Sequence, residues 1–296
     1  MRSKIKSDYE YGYETGKKMK NGFTLIELSV VLVVIGLLIG GIIAGQSLIR
    51  QSQINSILVD EQKYTSAALS FQQKYNALPG DFANAVGYWG SPSGATTPYT
   101  NSTYCAGMTG TGTQTCNGDG NGQIAESAYP GYDTTYLYEA FLFWQHLVNA
   151  QLIQGSYTGI VGSAGYTSSA TPPAGDHVIG SNSPKSRITN AGFGVSYVGI
   201  ITSAMTNANA NYFAGTYGHV FIFGSYSAKN LPVGVGLTGQ EAAAFDAKFD
   251  DGLPGSGTIL TWVNSTGFTP NCATSATAYN LTTTGLQCSL IFITGF

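Results

Sequence analysis

Three patterns of apolar and polar positions follow one another along the chain. The first runs from Leu28 to Ile49, 22 residues without a charged side chain and apolar on every side of a helix. About 20 such residues cross the core of a bilayer, so this stretch predicts a membrane span. The second begins at Arg50 without a break. Ile54, Ile57, Tyr64, Ala68, Phe71 and Tyr75 recur mostly at three- and four-residue steps, while Arg50, Asn55, Glu61, Lys63 and Gln72 mostly avoid that face. The spacing predicts that the same helix continues in amphipathic form to about Ala77, where Pro79-Gly80 stops it. Counted from Phe23, it would be roughly 80 Å long at ~1.5 Å per residue.

The third pattern is mixed. "TYLYEAFLFWQHLVNAQLIQG" (135–155) keeps helical spacing through Leu137, Phe141, Trp144, Leu147, Val148 and Leu152, with Gly155 as a stop. His146 on this helix reads as a core or interface residue. "GFGVSYVGIITSA", "HVFIFGSYS", "TILTWV" and "CSLIFITGF" alternate or run apolar between Gly, Asn and Pro, as strands do. Residues 240–252 predict a further short helix. One long helix followed by helix and sheet predicts an α+β fold: the long N-terminal helix packed on a globular head with an antiparallel sheet and extra short helices.

Charge changes this picture. Charged residues are 10% of the chain, against roughly 25% in ordinary soluble proteins. Residues 1–22 hold six Lys/Arg and three Asp/Glu, and the other seven and thirteen leave the rest at −6. The rest is therefore acidic, and no nucleic acid is expected as a partner. Lys17, Lys18 and Lys20 precede the apolar run, which puts the N-terminus in the cytoplasm and exports the bulk. The four cysteines form two local pairs in sequence, Cys105 with Cys116 and Cys272 with Cys288. Three pairings are possible in principle; local bridges are expected, and with them an oxidising compartment.

The junction before the apolar run is the most specific feature. "KNGFTLIELSVVLVVIGLLIGGIIA" (20–44) resembles the type IV prepilin signature, shared by type IV pilins and type II secretion pseudopilins. That resemblance implies a leader, residues 1–22, cut by a prepilin peptidase after Gly22. It implies N-methylation of the new terminus, Phe23. Met19 is a second possible start, giving the short leader "MKNG", and the sequence leaves both open. The organisation expected is leader 1–22, transmembrane half-helix 23–49, amphipathic half-helix 50–77 and exported head 78–296. A bare carboxylate at membrane depth costs several kcal/mol, so Glu27 needs a reason. In a packed array of these helices its natural partner is the α-amino group of a neighbouring Phe23, which exists only after cleavage. The resemblance implies the same assembly role. The partners implied are copies of itself, related pilins, the prepilin peptidase and the inner-membrane assembly machinery. The location implied is the bacterial inner membrane, single-pass with a periplasmic head, and then a filament.

One loop has ligand chemistry. In "CNGDGNGQIAES" (116–127), Asn117, Asp119 and Asn121 alternate ahead of Gly122 and Ile124, following the first eight positions of a calcium loop apart from Asn at the first. The Gln123 carbonyl would add an oxygen, and Ile124 would anchor the loop. The twelfth position, normally a bidentate Glu, is Ala128; Glu126 stands two residues early, and Asp133, Glu139, Asp250 or Asp251 are candidates to fill in. Calcium is the cofactor expected, at low affinity because the loop carries little charge. "DDGLPGSG" (250–257) is a second acidic cluster, read first as a solvated helix end and turn, with a metal or interface role as the alternative.

The leading functional reading is structural: a subunit of a type IV pilin-like filament. A pseudopilin of a type II secretion system driving protein export is the alternative. A membrane-anchored glycan-binding or enzymatic domain is a remote one. The sequence holds no H-E-x-x-H, G-x-S-x-G or P-loop, and His146, His177 and His219 lack any local constellation, so no enzyme is expected.

Overall fold

The computed structural model describes residues 22–92, 113–124, 139–160, 175–202, 212–262 and 272–296. The chain divides into two units, residues 1–49 and 50–296.

In the first unit, helix α1 (Leu25–Tyr75) begins with its apolar side chains exposed on all sides. It is the helix among the described residues that is long and apolar enough to cross a membrane.

In the second unit, α1 continues from Arg50 with one buried stripe: Ile54, Ile57, Tyr64, Ala67, Ala68 and Phe71. The helix ends at Tyr75, two residues before the expected point, because Asn76 turns left-handed at φ 52° while its N–H still bonds Gln72. Asn tolerates that conformation. Helix α2 (Ala85–Trp89) forms in the exit segment, and α3 (Glu139–Asn149) in the expected place. The start expected for α3 at 135–138 lies outside the described residues. Its end comes before Gly155: the N–H of Leu152 bonds Leu147 and that of Gln151 bonds Val148, with Gln151 at φ 62°. These paired bonds past a left-handed residue close a helix whatever the side chain. Helix α4 (Gly239–Phe249) starts at Thr238, whose hydroxyl accepts from Glu241 N while the Glu241 carboxylate accepts from Thr238 N, so two orphan N–H groups are satisfied.

The strands are β1 (Ala191–Ile201), β2 (Gly215–Ser225), β3 (Leu237–Thr238), β4 (Ile259–Thr261), β5 (Ala273–Ser275), β6 (Ala278–Tyr279), β7 (Leu286–Cys288) and β8 (Leu290–Ile293). The main sheet has the order β1-β2-β8-β4, all antiparallel; β3 with β7 and β5 with β6 make two small pairs. Both faces of the main sheet are covered. Phe193, Phe221, Phe223 and Phe292 face α1 and α3, where the Tyr64 ring sits edge-on to Trp144 at 5.0 Å and to Phe193 at 5.4 Å. Val220, Ile222 and Ile291 face Leu231, Val233, Leu260 and Trp262. Two buried faces are why β2 and β8 read as continuous apolar runs rather than alternating ones. Cys272 and Cys288 are joined, as expected. Cys116 is also disulfide-bonded, and its expected partner Cys105 lies outside the described residues.

Candidate functional site

Two places bear on function: the start of α1, and an acidic centre in the head.

At the start of α1, Gly22 and Phe23 precede the helix, and Phe23 is 91% exposed. Thr24 is the first residue tied to it. Its N–H and its hydroxyl both donate to one oxygen of Glu27, each at 2.8 Å, and Thr24 Oγ1 accepts from Glu27 N at 3.3 Å. This is a capping box of the form T-x-x-E. Glu27 thus has a local task, closing the helix start, besides any between subunits. The sequence reading gave Glu27 only the second; the Thr-x-x-Glu spacing was the signal for the first.

The acidic centre forms where three segments meet. Residues after α1 bring in Asp81, the 116–124 loop brings Asp119, and the first turn of α3 brings Glu139. Carboxylate oxygens of the three lie within 4.8 Å of one another. Gly118 has no room for a side chain, because a Cβ there would run into the backbone of Gly80 and Asp81. That close approach lets the loop reach Asp81. Asp81 accepts from the N–H groups of Asn121 at 2.9 Å and Gly122 at 2.8 Å, and Glu139 accepts from Asp119 N at 2.9 Å. His146 ties the same segments together. Its Nδ1 accepts from Gly80 N at 3.0 Å, so Nε2 carries the proton, 3.1 Å from Thr115 Oγ1 and 3.2 Å from the Cys116 carbonyl. Burial pushes the His146 imidazole down to about 3. Ile124 is fully buried, and its N–H bonds His219 Nε2 at 3.2 Å.

The sequence-derived ligands separate here. Asp119 is in the cluster, and Glu139, a proposed fill-in, joins it. Asn117 instead accepts from Val86 N at 2.8 Å, and Asn121 accepts from Gln123 N at 2.7 Å, so both oxygens brace the loop. Gln123 is exposed. Glu126 and Asp133 lie outside the described residues. Asp81 escaped the sequence reading because it belongs to "LPGD", 38 residues before Asp119, where its only local sense was a helix exit.

Asp81 and Glu139 are buried while Asp119 is exposed. Burial pushes the Asp81 carboxyl up to about 6, with the Asp119 carboxylate adding to the effect. Three carboxylates so close repel unless a proton or a cation intervenes, and an all-oxygen set suits a hard divalent ion. The cluster is therefore able to hold a metal ion. A second cluster, Asp246, Asp250 and Asp251, has the same spacing. Its carboxylates mainly close turns, accepting from Tyr279 Oη, Thr258 N, Ile259 N and Leu253 N at 2.6 to 2.9 Å.

Comparison with known proteins bears on the first place. Residues 17–43 match the family model of the prokaryotic N-terminal methylation motif. The chain carries the type IV prepilin and pseudopilin signature. The match covers the Gly22–Phe23 junction, the Thr24–Glu27 cap and most of the apolar run. No curated protein and no solved structure matches the chain.

Proposed function

We propose that this chain is a structural subunit of a type IV pilin-like filament, held in the inner membrane with its head in the periplasm, cut after Gly22, methylated on Phe23 and then polymerised. The observation that carries the reading is the prepilin signature at 17–43 running directly into the apolar start of a 51-residue helix. In this account Glu27 keeps one oxygen on Thr24 and offers the other to the amine of a neighbouring Phe23. The same features fit a secretion pseudopilin, and nothing in the head favours one over the other.

Electron microscopy of cells expressing the chain with a prepilin peptidase and an assembly machinery tests this. Wild type forms filaments. Glu27→Gln preserves a capping side chain without charge, and Glu27→Val removes both. If pairing with the amine drives assembly, both variants insert and are cut but fail to polymerise. Filaments from Glu27→Gln at the wild-type level would reduce Glu27 to a helix cap.

A second reading concerns the head. We infer that Asp81, Asp119 and Glu139 hold a calcium ion that joins the α1 exit, the 116–124 loop and α3. Three clustered carboxylates, two of them buried, favour it. An all-oxygen donor set drawn from three separate segments suits the flexible coordination of calcium better than the tight octahedron of magnesium.

A further inference from the structure

One edge of the head carries two exposed leucines close to the first residue of the head, Arg50. Arg50 directly follows Ile49, so the surface around Arg50 is one residue from the end of that run. Arg50 reaches the Gly236 carbonyl at 3.0 Å and Glu241 at 2.7 Å. Seven residues further along α4, Lys248 reaches Asn55 at 3.2 Å, five residues further along α1. α4 therefore starts next to Arg50 and runs alongside α1 away from it.

The 281–286 loop lies at that starting end. Gln240 Nε2 donates to the Leu281 carbonyl at 3.4 Å, Thr238 pairs with Leu286, and the Asn280 carbonyl packs on Gly239. All six loop residues are exposed, Leu281 by 53% and Leu286 by 52%. A single exposed leucine means little. Here two flank one short loop, and the described segments that pack on it carry little charge. Residues 230–240 and 272–296 contain no charged side chain. Glu241 is neutralised by Arg50, and Asp246, Asp250 and Asp251 belong to the other end of α4. Among the described residues, an otherwise acidic head thus has little net charge around its own first residue.

We propose that the 281–286 loop is a foot of the head on the lipid surface, with Leu281 and Leu286 entering the headgroup region of the bilayer. Short apolar anchors on an uncharged edge bind there by the same burial that holds interfacial helices. The foot gives the head an attachment to the bilayer of its own, in addition to its covalent link to the span. The proposal rests on residues 28–49 being a membrane span.

The test uses the full chain in vesicles of phosphatidylethanolamine and phosphatidylglycerol whose acyl chains carry bromine, a contact quencher of tryptophan. Single tryptophans replace Leu281, Leu286, Val34 in the apolar run, and Ile200. Ile200 is 70% exposed. It is nine residues along β1 from Ala191, which lies against Gly236, and so roughly 30 Å from it at ~3.3 Å per residue. Val34→Trp, Leu281→Trp and Leu286→Trp lose most of their added emission to bromine, and Ile200→Trp keeps its own. If Val34→Trp is quenched but both loop variants stay bright, the foot is overturned while the span stands. If Val34→Trp also stays bright, the span fails and the foot with it. Loop emission that shifts with the protein-to-lipid ratio, yet ignores bromine, assigns the loop to a second copy and overturns the proposal.

Discussion

Glu241 grips Arg50 with both carboxylate oxygens, at 2.7 Å to Nε and 2.7 Å to Nη2, and closes the start of its own helix with the same side chain. One residue therefore docks α4 on α1 just where the amphipathic stretch begins. The two duties separate by substitution. Glu241→Gln keeps the cap and weakens the ion pair; Glu241→Ala loses both. The pair is partly exposed, so it contributes about 1 kcal/mol, and the cap about 1 kcal/mol more. Thermal unfolding of the full chain in detergent checks the order: wild type melts highest, Glu241→Gln a few degrees lower, Glu241→Ala lower again. Equal melting of the two variants would remove the cap from this account.

The acidic centre predicts a calcium response. An ion that binds only the folded head stabilises it by about 2.7 kcal/mol at a hundredfold excess over Kd, which raises melting by several degrees for a head of this size. Calcium should raise the melting temperature over chelator, magnesium should do less, and Asp119→Ala should abolish the difference. Asn117→Ala should keep the calcium increment while lowering the baseline, since it strips Val86 N of its acceptor. Loss of the increment in Asn117→Ala alone would return the ion to the alternating loop oxygens.

The pH dependence of that increment follows from the carboxyl. Burial and Asp119 raise Asp81 from its usual 3.8 to about 6, so the folded chain holds this proton more tightly than the unfolded one. Stability in chelator therefore falls as pH rises from about 4 to about 6, by roughly 1–2 kcal/mol after allowance for solvent screening. Asp246, raised to about 6 by burial, has the same sign. His146 has the opposite sign. Held neutral down to about 3, it contributes stability above pH 6.5 that is lost as pH falls below it. The difference between calcium and chelator isolates the metal from His146. That increment should be large at pH 7 and shrink towards pH 5 as protons displace the ion. An increment unchanged between these values would exclude Asp81 as a ligand.

Much of the fold was legible because the chain's periodicities are strong. The α1 stripe, the position of α3, α4 and the main strands follow from spacing alone. Helix ends were less legible, because Asn76 and Gln151 adopt left-handed turns that glycine usually marks. The short strands β3, β5, β6 and β7 are too brief to show alternation and depend on partners distant in sequence. At the start of α1 the junction and Glu27 were plain, and the Thr24 cap was overlooked. In the acidic centre the loop pattern pointed to Asp119, which lies in the carboxylate cluster, and to Asn117 and Asn121, whose oxygens accept from Val86 N and Gln123 N. Asp81 comes from another segment, and Glu139, named in the sequence only as a fill-in, from a third; the packing of Gly118 on the Gly80–Asp81 backbone, the Asp119 N–H on Glu139 and the His146 bonds bring them together.

The central claim is processing at the Gly22–Phe23 junction, and mass spectrometry of the chain purified from cells with and without a prepilin peptidase tests it most directly. With the peptidase, the N-terminal peptide should begin at Phe23 with one added methyl group, and Gly22→Val should leave the precursor uncut. A chain that begins upstream of Phe23 in both cells, or downstream of Ile49, would contradict the account.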